Sequence, residues 1–121
     1  MRFRLVALPA AAALAVVGMA QAMTGMSLPK LHGTVGPGFT ISLKDAHGKK
    51  VKTLKHGKYT FVVQDTASIH NFTLNGPGIK KKTITGTSFV GTKTVALTLK
   101  RGTYKYYCTV HPTVSGTFKV T

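Results

Sequence analysis

Three residues carry most of the chemistry this sequence can do. Residues 104–118 read Tyr-Lys-Tyr-Tyr-Cys-Thr-Val-His-Pro-Thr-Val-Ser-Gly-Thr-Phe, with Cys108 and His111 three positions apart. A strand that ends at Cys108 and a tight loop through His111 bring a thiolate sulfur and an imidazole nitrogen to one point. Two donors do not close a metal site. A third stands upstream in Asp65-Thr-Ala-Ser-Ile-His70-Asn71, at the start of another strand. One thiolate with two imidazoles in a near-trigonal arrangement is the donor set of blue-copper electron-transfer sites. Soft thiolate suits Cu(I) and imidazole suits both oxidation states, so the ion cycles with little rearrangement. Zinc accepts the same donors, but a structural zinc site takes a fourth protein ligand, and none is supplied here.

Such a site needs rigid strands to hold it, and the sequence provides them. Phe39, Ile41 and Leu43 alternate with polar residues, as do Tyr59, Phe61 and Val63, then Val95, Leu97 and Leu99, then Phe118 and Val120. Alternation with a period of two places one face on a core and the other in water. No segment after residue 22 sustains an apolar stripe of helical period. The fold class expected is all-β, a Greek-key sandwich. Leu54-Lys-His-Gly57-Lys-Tyr59 and Leu99-Lys-Arg-Gly102-Thr-Tyr104 both fit L-x-x-G-x-Y. Each resembles a tyrosine corner, in which the hydroxyl bonds back to the backbone of the preceding loop.

In these residues the chain resembles the cupredoxins of the plastocyanin, amicyanin and pseudoazurin type, from about Gly38 to Thr121. The resemblance implies one copper ion, Cu(I)/Cu(II), held by His70, Cys108 and His111. It implies that Asn71 ties the two ligand loops together, with the backbone or hydroxyl of Thr109 as partner. The glycine five positions after His111 matches the short amicyanin loop. In that pattern a methionine stands three positions after the histidine, and here the residue is Val114. Valine cannot ligate, so the expected site is three-coordinate, with a raised reduction potential. The resemblance also implies an apolar docking rim around the exposed histidine edge, for which Pro77 and Pro112 are candidates. Tyr107 stands where plastocyanins carry an exposed tyrosine on an electron route.

The first residues add a compartment. Arg2 and Arg4 precede an apolar run from Leu5 to about Met19, followed by Ala20-Gln21-Ala22. A basic start, a short apolar core and small residues at −3 and −1 describe a secretory signal peptide, residues 1–22. Residues 23–37 then form a short lead-in and first strand, and residues 38–121 the cupredoxin domain. The expected location is outside the cytoplasm: periplasm, medium or cell wall. In that setting a lone cysteine, Cys108, cannot make an internal disulfide and calls for another partner.

The whole chain has 17 basic and 2 acidic residues, a formal charge of +15. Losing Arg2 and Arg4 with the leader lowers this to +13. A field of that strength favours acidic redox partner proteins and an anionic envelope surface. Nucleic acid is not the expected partner: the lysines are scattered, and Arg101 alone is left for bidentate base readout. No paired carboxylates or nucleophile–base pair marks an enzyme, and a monomer is expected. The leading function is therefore an exported type 1 copper protein that carries single electrons. Two other readings stay open because of Val114: a copper-binding or delivery protein without electron turnover, and a metal-free interaction module on the same scaffold. Taken alone, Cys108 is also compatible with an ordinary core cysteine.

Overall fold

The computed structural model describes residues 27–121; the proposed leader lies outside them. Among the described residues every regular element is a strand. In chain order these are β1 (Lys30–Val35), β2 (Ile41–Lys44), β3 (Thr53–Leu54), β4 (Gly57–Asp65), β5 (Phe72–Gly76), β6 (Ile79–Thr85), β7 (Gly91–Leu99), β8 (Gly102–Tyr107) and β9 (Ser115–Val120). They form two mixed sheets, ordered β2-β1-β4-β7 and β3-β9-β8-β5-β6. β1 runs parallel to β4 and β3 parallel to β9, and all other pairs are antiparallel. The chain changes sheet after β2, β3, β4, β6 and β7, which makes a Greek-key sandwich of the expected class.

The alternating residues supply the core between the sheets. Phe61 and Val63 of β4, Leu43 of β2, Leu99 of β7 and Phe118 of β9 are all buried. Tyr104 and Tyr106 of β8 are buried as well, stacked on Phe118 at 5.3 Å and on Phe72 at 5.7 Å between ring centroids. Offset stacking of this kind adds about 0.5–1.5 kcal/mol to the burial of each ring pair. Gly116 faces Tyr106 across the β8–β9 ladder, and a Cβ there would overlap the tyrosine ring. The small residue is required by close packing.

Both L-x-x-G-x-Y segments make the corner they resemble. Tyr59 Oη donates to the Lys55 carbonyl at 2.7 Å, at the start of β4. Tyr104 Oη accepts from the Lys100 amide at 2.9 Å and donates to the Pro77 carbonyl at 2.6 Å. Gly102, before Tyr104, has φ +139°, a conformation that glycine adopts without strain.

Strand directions sort the connections into two ends. The loops at residues 36–40, 66–71, 86–90 and 108–114 lie at one end of the sandwich. The β2–β4 connection, the β5–β6 turn and the β7–β8 turn lie at the other. The three candidate ligands all belong to the first end.

Candidate metal centre

His70 and Cys108 reach the same point because their strands are neighbours. Thr73 of β5 pairs with Tyr107 of β8, so the residues just before β5 and just after β8 meet at one sheet end. His70 closes a tight turn, its amide donating to the Ala67 carbonyl at 3.4 Å. The β8–β9 loop folds back on itself. The Val114 amide donates to the His111 carbonyl at 2.9 Å, and the Cys108 amide to the Val114 carbonyl at 3.1 Å. That closure carries His111 over the other two residues.

The donor atoms converge. His70 Nδ1 lies 3.6 Å from Cys108 Sγ and 3.1 Å from His111 Nδ1. The three residues present one ligand atom each, all within 4.8 Å of one another. Metal–nitrogen bonds of about 2.0–2.1 Å and metal–sulfur bonds of about 2.3 Å span these gaps from a single point. Cys108 and His70 have no exposed surface, whereas His111 is partly exposed. His70 Nε2 is buried without a hydrogen-bond partner. With Nδ1 as the donor atom, Nε2 is the nitrogen that carries the proton of the neutral ring. The residues therefore fit a metal ion, and their thiolate and imidazole donors fit copper.

Asn71 wires the two loops together as expected, and more extensively. Its Nδ2 donates to Thr109 Oγ1 at 2.6 Å and to Thr87 Oγ1 at 3.0 Å. Its Oδ1 accepts from the Thr109 amide at 3.0 Å and the Thr73 hydroxyl at 2.9 Å. Its backbone amide donates to Cys108 Sγ at 3.4 Å. Such a bond fixes the direction in which the sulfur faces the two imidazoles. One side chain thus connects three of the four loops at this end.

Phe39 is the site residue that the sequence reading missed. Alternation assigns it to the inward face of a strand, yet β2 begins only at Ile41 and Phe39 is 66% exposed. Its ring stands edge-on to both candidate histidines, with centroids 5.3 Å from His70 and 5.0 Å from His111. The readable signal was Gly36-Pro37-Gly38 just before it, a turn tripeptide that puts the next residue on a loop. The turn is closed by Gly36 donating to the Thr40 carbonyl at 2.9 Å.

The two prolines separate. Pro112 is exposed beside His111. Pro77 does not belong to this end: it lies in the β5–β6 turn, where its ring would meet a Cβ on Gly102. Register places that turn at the far end of β8 from Cys108, which local sequence could not reveal. The apolar rim is made instead by Phe39, Ile69 and Val110, all more than half exposed. Tyr107 is half-buried, with Lys105 Nζ 5.3 Å from its ring centroid. Val114 is buried, its amide and carbonyl both engaged in closing the ligand loop.

No protein-family model matches the chain, and no curated protein matches it in sequence. Solved structures do match. A crystal structure of rusticyanin with one methionine replaced by glutamine aligns with 87% of this chain and 94% of its own, at a TM-score of 0.50 and 20% identity. A further rusticyanin structure, described as a copper protein, covers the same shares at a TM-score of 0.48 and 20% identity. An oxidised methionine-to-leucine variant of amicyanin covers 80% and 95%, at 0.48 and 16% identity. Rusticyanin is a cupredoxin, and the fold of this chain is the cupredoxin fold. The His70–Cys108–His111 group lies in that fold as a ligand group suited to a blue-copper centre.

Proposed function

We propose that this chain is an exported type 1 copper protein that carries one electron at a time. Its metal would be held by His70 Nδ1, Cys108 Sγ and His111 Nδ1. One observation carries the reading: a thiolate and two imidazoles from two loops converge with the spacing of a single ion, at the end of a cupredoxin sandwich. Bound copper would supply a reversible Cu(I)/Cu(II) couple. The protein's part is to hold the donors still, through the Asn71 bonds and the closure of the 108–114 loop. His70 and Cys108 stay shielded from water, and His111 offers the partly exposed edge through which an electron enters or leaves.

Acidic redox proteins are the partners we propose. The net positive charge attracts such partners to the domain as a whole at low salt, and this attraction weakens as salt rises. Contact at the site itself is made by the uncharged rim of Phe39, Ile69 and Val110. The basic leader with its short apolar run supports export, and the monomer is the proposed state.

The deciding measurement is the visible spectrum of the purified protein after addition of Cu(II). An intense thiolate-to-copper charge-transfer band, lost in Cys108→Ala, is expected. A colourless protein whose copper affinity is the same in Cys108→Ala would refute the assignment. Val114 favours a second reading, in which the chain holds and delivers Cu(I). A reversible voltammetric couple supports the carrier; an irreversible one supports delivery.

A further inference from the structure

The charge of this protein is segregated by end. The four loops around the ligands, residues 36–40, 66–71, 86–90 and 108–114, contain no lysine, arginine, aspartate or glutamate. Asp65, which leads into the second of them, is buried. At the opposite end, Lys49, Lys50, Lys52 and Lys55 occupy the β2–β4 connection, and Lys100 and Arg101 the β7–β8 turn. Lys30, Lys44 and Lys58 add strand-end charges from the other sheet at that same end. Asp45 is the one acid there, and its carboxylate is turned onto its own loop, accepting from the His47 and Lys49 amides.

We infer that this basic pole is a docking surface for an anionic phospholipid bilayer, which holds the domain with its metal centre pointing away from the membrane. Three features favour a lipid surface. The charges come from both sheets and so cover a whole end of the sandwich, which suits a planar lattice of phosphates. They are almost all lysines, which bind phosphate as point charges without demanding fixed geometry. The chain also enters the fold here, at Lys30, and the apolar run Leu5–Met19 lies on that entering segment. Until the proposed leader is removed, the pole is the end of the domain to which it is joined.

Each lysine near an anionic leaflet contributes about a fivefold gain in partition. Four of the five exposed large apolar side chains, Phe39, Ile69, Val90 and Val110, lie at the other end, in the loops around the ligands, and the fifth, Leu28, precedes Lys30 at the pole. The bound orientation therefore leaves the rim around His111 free for a soluble partner. The inference does not depend on copper, so its failure would leave the proposed function standing.

The test is co-sedimentation of the exported protein, purified without its leader, with vesicles of phosphatidylcholine alone or with about 30% phosphatidylglycerol. Two variants carry the same loss of charge at exposed positions: Lys49→Gln/Lys52→Gln/Lys55→Gln at the pole, and Lys82→Gln/Lys93→Gln/Lys105→Gln along the strands. Far-ultraviolet circular dichroism verifies that both fold. Wild type is expected on the anionic vesicles only, released by salt. The pole variant should lose roughly 100-fold in partition, from three steps of about fivefold, and the strand variant at most a few-fold. Equal loss in the two variants overturns the inference. So does equal partition onto neutral vesicles, or retention on a soluble polyphosphate with no partition onto vesicles.

Discussion

Replacing Asn71 with leucine keeps the branching of the side chain and removes four hydrogen bonds at once. Two of the partners, the Thr87 and Thr109 hydroxyls, belong to exposed residues and can turn to water. The other two are worse placed. The Thr109 amide loses an acceptor inside a closed loop, and the buried Thr73 hydroxyl keeps only Thr83, at 3.1 Å. An unsatisfied buried donor costs about 1–3 kcal/mol, and each ordinary bond lost about 1 kcal/mol. Asn71→Leu should therefore destabilise the copper-free protein by ~3 kcal/mol. For a domain of this size that is a fall in Tm of ~15 °C. Urea denaturation followed by circular dichroism measures it directly. Because the same bonds hold the His70 and Cys108 loops in register, copper affinity should drop about 10–100-fold, as for other supports of metal ligands. A loss of stability below about 1 kcal/mol together with unchanged copper affinity would show that Asn71 does not couple the loops.

Phe39→Ala should leave stability within about 1 kcal/mol, since the ring is mostly exposed. It should speed the reaction of the Cys108 thiol with a thiol reagent several-fold in the copper-free protein. Val114→Met supplies a thioether at the matching loop position, and voltammetry of the copper form should show a lower potential than wild type. Gly116→Ala drives a methyl group into the buried Tyr106 ring and should cost about 2–3 kcal/mol in thermal or urea unfolding. Burial pushes the Tyr106 phenol above its ordinary 10.0, against the opposing pull of the Leu43 backbone. The phenol ionises more readily in the unfolded chain, so stability should hold below pH 10 and fall above it. Tyr106→Phe should flatten that alkaline decline.

Much of the site was legible because its parts are local. Cys108 and His111 share one loop, His70 and Asn71 are adjacent, and each tyrosine corner is written within six residues. Strand alternation placed Phe61, Val63, Leu99 and Phe118 in the core correctly, since burial on one face of a sheet follows a period of two. What escaped depended on where chain ends meet in space. Phe39 was assigned inward because periodicity does not show where a strand begins. Pro77 was placed by analogy at the wrong end, a fact set by the direction of β5 against β8. The separation of charge was hidden for the same reason. A sum over the sequence counts lysines, and only the topology shows that they avoid every loop around the metal centre.

The cover over that centre and the ligands beneath it belong to different layers. His70, Cys108 and His111 hang from β5, β8 and β9 of one sheet, while Phe39 comes from the β1–β2 turn of the other. The two layers are nonetheless tied beside the site: Thr66, in the loop that carries His70, donates its amide and its hydroxyl to the carbonyl of Val35, the residue from which the Phe39 turn departs. A displacement of that turn is therefore passed to the loop that holds His70, and the cover is coupled to one of the ligands beneath it.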